Sequence, residues 1–181
     1  MKLTILISIF NIMSVMSACK QVTTVPDLNL TEYVRASWYS QIQQTVTYQT
    51  EKQLFCVVAT YNIEPKRTVP FFDGTVISVY NSAVNNNTTG IPENTNDKQV
   101  LCARVPDENI PSKLEVSPCF LPNILAGPYW IIAIGKNVMN RYDWTIVSGG
   151  QPTHQYPDGC TTGSKGYSGT GLWFFTRERI A

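Results

Sequence analysis

Five cysteines and one histidine carry most of the reactive chemistry in this 181-residue chain. Cys19, Cys56, Cys102, Cys119 and Cys160 form no C-x-x-C pair, and His154 is the only histidine. That spacing does not build a zinc site. No paired carboxylates, Ser/His/Asp arrangement or glycine-rich phosphate loop stands out, so the residues call for no cofactor and no catalytic residue is assigned. A reactive thiol needs a cation, a helix N-terminus or a base to ionise it. Cys56 lies in the run LFCVVATYNI, which supplies none of these, and His154 is the only base of its kind to call upon. Its reading is a disulfide or a buried core thiol. Cys102 and Cys119 flank a connection from Pro106 to Pro111. As arms of one hairpin centred near Ile110 they stand opposite each other. Opposed Cα atoms on antiparallel strands approach to about 4.5–5.5 Å, within disulfide reach.

The ends and the charge balance say where such cysteines belong. MKLTILISIFNIMSVMSAC opens the chain with Lys2, a nearly continuous apolar run and the small residues Ser17-Ala18. That is the pattern of a signal peptide over residues 1–18, and the run is short for a membrane span, which needs about 20 apolar residues. Nothing later approaches that length without a charge. The mature protein reads as secreted, where disulfides with one thiol left over are the default. Cys19 after Ser-Ala also resembles a lipidated cysteine, a minor reading because Met16 fits that motif poorly. Removing Lys2 from 14 basic residues leaves 13, against 13 acidic ones. No basic stripe remains for nucleic acid or a membrane surface. Asn29, Asn86 and Asn87 each begin an Asn-X-Ser/Thr triplet, the acceptor for glycosylation in a secreted chain.

Helical periodicity is almost absent after the first segment. Short apolar or alternating runs recur instead: SWYSQIQ, LFCVVATYNI, TVISVYN, KQVLCARV, KLEVSPCF, YWIIAIG, YDWTIVSG and GLWFFTR. Pro, Gly and Asn clusters separate them, which is the signature of strands and turns. Eight strands without helices between them cannot make a parallel sheet. They suit an antiparallel meander, and both its first and last strands are apolar. Left open, those edges invite aggregation. Pairing GLWFFTR with the first strand removes them, so the expected fold is all-β, an eight-stranded antiparallel up-and-down barrel. Such a barrel is filled by side chains or holds one small ligand.

These residues resemble the lipocalins over about 150 residues, from Leu28 to Arg177, and the domain is expected over 28–181. Asn29-Leu30-Thr31-Glu32-Tyr33 followed by Trp38-Tyr39 is similar to the family's first motif, and Phe55-Cys56 through Tyr61 to its second strand. Val79-Tyr80-Asn81, Lys113-Leu114-Glu115-Val116 and Gly127-Pro128-Tyr129-Trp130 follow in order. Tyr142 through Gly149 looks like the strand before the last loop, and Leu172-Trp173 with Arg177 like the closing motif. The nearest branches are the apolipoprotein-D-like and bacterial ones. Three departures stand out: Ala36 replaces the first motif's glycine with one extra residue before Trp38, Asn140-Arg141 precedes Tyr142, and no helix is expected after the barrel. The last leaves wall to be covered by something else, a second copy of the chain included.

The resemblance implies that Trp38 and Arg177 stack across the closed end of the barrel, a structural role. It implies that Tyr61, Asn81 and Trp173 line the cavity, and Val79, two residues before Asn81, shares that face. Trp144, Tyr129 and Phe174 are left unassigned. Cys160 pairs with Cys19, as in some members of the family, or with Cys56. A few lipocalins carry a catalytic thiol on the strand of Cys56. The function expected is secreted carriage or sequestration of a small hydrophobic ligand: a lipid, retinoid, sterol or pigment. A lipocalin-fold enzyme, of an isomerase or carotenoid-modifying type, is one alternative. A protein-binding inhibitor acting through its loops is the other.

Overall fold

The computed structural model describes residues 19–95 and 99–179; the segment read as a signal peptide lies outside them. One turn of helix, α1 (Leu30–Tyr33), precedes β1 (Trp38–Gln43), β2 (Phe55–Ile63) and β3 (Val76–Val84). Then come the short β4 (Glu93–Asn94), β5 (Leu101–Arg104), β6 (Lys113–Pro118), β7 (Gly127–Lys136) and β8 (Tyr142–Ser148). The last connection holds β9 (His154–Tyr156) and β10 (Gly159–Thr161) before β11 (Leu172–Thr176). All eight runs picked out by alternation are strands.

Hydrogen bonding runs β2-β1-β11-β8-β7-β6-β5-β3, and β3 pairs back with β2. Eight antiparallel strands therefore close into a barrel. β4 only adds a rung outside β3, and β9 and β10 make a separate hairpin. The closing seam is the one expected: Tyr39 opposes Thr176 and Gln43 opposes Trp173. No helix follows β11 among the described residues.

Alternation divides the side chains cleanly. Ala59, Tyr61, Ile77, Val79, Ala103, Leu114, Ile131, Val147 and Phe175 face one another inside, with Trp38 at the bottom. A second cluster sits on the outer face, where the β2–β3 connection folds back so that Val69 and Phe72 cover Val76 and Cys102. Phe174 and Trp144 also face outward and contact each other, ring centroids 6.2 Å apart. Gly135 makes room for that indole, because a Cβ there would lie 2.0 Å from Trp144 Nε1.

From Cys19 onward, the described chain before the barrel is tied to it at several points. Cys19 is bridged to Cys160, and the Val22 amide donates to Gln151 Oε1. Val25 N donates to the Ile131 carbonyl just where β6 has ended, since Ile131 N already takes Ser112 O. Leu28 then enters the core. A sulfur in a disulfide cannot also carry a thioether lipid, which removes the anchor reading of Cys19.

Two further cysteine expectations are corrected. Cys102 opposes Ser117, not Cys119, because the hairpin is centred between Asn109 and Ile110. The bridge to Cys119 is diagonal, with Cα atoms 4.9 Å apart. Cys56 is neither bridged nor buried: it is a free, exposed thiol. The reason is a bulge. Phe55 pairs with Val84 but Val58 with Ser82, so Cys56 and Val57 together oppose Ala83, one residue extra, and Cys56 takes φ 50°. A bulge re-aims the side chain it carries, and Cys19 occupies the one partner Cys56 could have claimed.

Candidate functional site: the barrel interior

The bottom of the barrel is built from the ends of the chain's ordered fold. Asn29 caps α1, its Oδ1 accepting from Glu32 N at 2.9 Å, which holds Tyr33 over the lower rim. Tyr33 and Trp38 are buried, ring centroids 5.2 Å apart, and Trp38 Nε1 donates to the Tyr33 carbonyl at 3.0 Å. Below them the Arg177 guanidinium stacks on the indole at 3.4 Å. Its N–H groups donate to the carbonyls of Glu32, Tyr33, Ala36 and Ser37. Burial pulls its pKa down to about 10. The planar fork of an arginine suits this double duty of stacking and donating.

Glu32 locks the same end from outside. Its carboxylate accepts from Arg141 Nε at 2.9 and 3.0 Å, from Arg35 Nε at 2.9 Å and from Tyr142 N at 3.2 Å. The Arg141 hydrogen bond is the main reason its pKa falls to about 2.

Above the floor three phenols meet. Tyr129 Oη lies 2.9 Å from Tyr33 Oη and 2.8 Å from Tyr61 Oη. They come from β7, α1 and β2, so only barrel closure brings them together. Burial raises the pKa of Tyr61 to about 12 and those of Tyr33 and Tyr129 well above the usual tyrosine value. All three are neutral hydroxyls at physiological pH, able to donate and accept.

Tyr129 stacks on Trp173 with centroids 6.5 Å apart. Both point inward on strands of a closed barrel, yet both are only half-buried. Water can reach an inward side chain of a closed barrel only through an open end. Trp173 lies near the start of β11, at the end opposite Arg177. The interior therefore has a floor filled by Trp38 and an upper half where Tyr129 and Trp173 are not fully packed.

The four residues expected to line a cavity all face that interior. Tyr61 and Val79 are buried and oppose each other across β2 and β3, while Asn81, opposite Ala59, and Trp173 are half-buried. Two residues that carry the arrangement were not anticipated. Tyr129 shares the inward face of Ile131, two residues along GPYWIIAIG, and that alternation could have placed it. Tyr33 had no such signal, because its helix is a single turn.

Other reactive groups do not join the site. His154 is exposed on β9. Cys56 Sγ lies 3.9 Å from the Thr88 carbonyl at the β2 bulge. Among the described residues no group of three His, Cys, Asp or Glu side chains could hold a metal ion. A groove of about 490 Å³ runs outside the barrel, lined by Glu64, Lys66, Arg67, Thr68, Pro70, Cys119 and Phe120. Its one acid is already paired, Arg67 Nη2 to Glu64 Oε2 at 2.7 Å.

A search of protein-family models finds no match to the chain, and a search of curated proteins finds no significant one.

Proposed function

We propose that the chain is a secreted lipocalin-type protein that carries or sequesters a small hydrophobic molecule in its barrel. One observation carries the reading: Tyr129 and Trp173 point into a closed barrel but remain half-buried. A side chain that filled the barrel completely would leave its neighbours dry. Below this aromatic wall the phenols of Tyr61 and Tyr129 offer a polar end point. An apolar body with one polar group matches both, and few polar groups in an apolar wall are the usual make-up of small-molecule sites. Burial of the ligand's apolar surface supplies the drive, roughly 25 cal/mol per Å² removed from water.

Secretion accords with two disulfides and with the apolar segment read as a signal. Asn29, Asn86 and Asn87 are exposed and available to a glycosyltransferase. No catalytic role is assigned to any residue, Cys56 included.

Native mass spectrometry of the mature protein, purified without detergent, tests the reading. A discrete adduct of small-molecule mass, lost on organic extraction, supports carriage and identifies the ligand class. A bare mass that stays unchanged when retinoids, fatty alcohols, fatty acids and sterols are supplied removes it.

A further inference from the structure

Three hydroxyls joined by two hydrogen bonds leave one O–H uncommitted, and where the two bonds run head to tail it lies at an end of the chain. Here the chain is Tyr33–Tyr129–Tyr61. At the Tyr33 end stands Thr145, whose own hydroxyl donates to the Ala133 carbonyl at 2.9 Å and so keeps only acceptor capacity. At the Tyr61 end the hydroxyl has Tyr129 as its hydrogen-bond partner and faces the barrel interior. The protons can therefore run in either direction by rotating O–H bonds: toward Thr145, leaving Tyr61 as an acceptor, or toward Tyr61, leaving it as a donor.

No cation donates a hydrogen bond at this end point, and the Arg177 charge reaches Tyr61 and Tyr33 only through space. Arg177 lies beneath Trp38 with its donors committed to five carbonyls, that of Tyr142 included. Arg104 is the only fully buried charged side chain among the described residues. It lies on the outer face of β5 and donates to the carbonyls of Cys102, Ser117, Pro118 and Leu121. Among the described residues no cationic side chain donates a hydrogen bond into the inner wall, and a buried charge without a hydrogen-bonded partner is strongly disfavoured.

We infer that the tyrosine chain selects an uncharged ligand head, a hydroxyl or a carbonyl, and rejects a carboxylate. This rests on the barrel being the binding site. A hydroxyl head donates to Tyr61 while the chain runs toward Thr145. A carbonyl head accepts from Tyr61 while it runs the other way. One site thus takes alcohols, aldehydes, ketones or esters of a given apolar skeleton, but not the matching acid.

The test is a chain-matched pair, dodecanol and dodecanoate, titrated at neutral pH against the disulfide-intact protein and followed by quenching of tryptophan fluorescence. The expected result is that dodecanol binds and dodecanoate binds at least about tenfold more weakly. Tyr61→Phe removes only the terminal hydroxyl, and should weaken dodecanol several-fold with little change in melting temperature. Dodecanoate binding as tightly as dodecanol overturns the selectivity while leaving the barrel as a binding site. Equal affinity of Tyr61→Phe and the unaltered protein for dodecanol overturns the role of the chain. Absence of binding by either compound, with no adduct in the native mass spectrum, overturns both this inference and the carrier reading.

Discussion

The Arg177 guanidinium lies 3.4 Å from the centroid of the Trp38 ring, joining the residue after the last strand to the first residue of the first. The contact seals the seam that closes the sheet. Arg177→Ala removes a cation–π stack and hydrogen bonds to five carbonyls. It should lower stability by about 3 kcal/mol. Urea unfolding monitored by tryptophan fluorescence measures this, and a loss within about 0.5 kcal/mol, as for an ordinary surface substitution, would show that the stack matters little.

Tyr129 sits between two other phenols, so Tyr129→Phe affects three groups at once. Tyr33 and Tyr61 keep their hydroxyls in a buried setting but lose the shared partner. An unsatisfied buried hydroxyl costs about 1–3 kcal/mol, and the substitution should cost about that much. Tyr33→Phe together with Tyr129→Phe should cost less than the sum of the two single changes, because the pair shares one hydrogen bond. Additive losses in thermal unfolding would argue against a connected chain.

Glu32 makes the acid limb of stability predictable. Its folded pKa of about 2 lies below the ordinary value of 4.5. The stabilisation it confers is complete above the unfolded value, and it disappears as pH falls from 4.5 through about 2. Glu32→Gln should cost about 1 kcal/mol at neutral pH after screening of a partly solvated site. It should also flatten the dependence of melting temperature on pH in that window. Parallel curves for the two proteins would assign the acid sensitivity to other carboxyl groups.

The free thiol gives a direct count. Native protein treated with N-ethylmaleimide should gain one adduct, at Cys56, because that residue is exposed. Cys19, Cys102, Cys119 and Cys160 should react only after reduction, and a non-reducing peptide map should link Cys19 to Cys160 and Cys102 to Cys119. Unreactive native protein, or a Cys56–Cys160 peptide, would contradict the bulge geometry.

All eight strands, and the pairing of the last with the first, were legible in the amino-acid order. The reasons are local and additive: β-branched and aromatic residues alternate along each run, turn residues separate the runs, and an apolar edge must be covered. Inward placement of Tyr61, Asn81 and Trp173 was implied by the family resemblance, and the period of two then put Val79 on the same face as Asn81. Alternation survives only while register is regular. At Cys56 one extra residue enters the strand, and the side chain expected in a bridge or the core turns to solvent. Cys102 and Cys119 show a milder case, where a small shift of the hairpin's centre makes an opposed pair diagonal.

The site itself divides along the same line. By itself, the sequence determined that the chain would bury an aromatic-walled interior, because strand alternation is a property of neighbours along the chain. Only the tertiary structure decided that Tyr33, Tyr61 and Tyr129 share hydrogen bonds, that Arg177 spreads its donors over the carbonyls around α1 and β1, and that Arg104 is on the outer face. Those relations join a helix turn to β2 and β7, and the two ends of the fold to each other. They depend on how far the strands are staggered when the barrel closes. Stagger is set by the summed packing of the whole wall, which no local run of residues encodes.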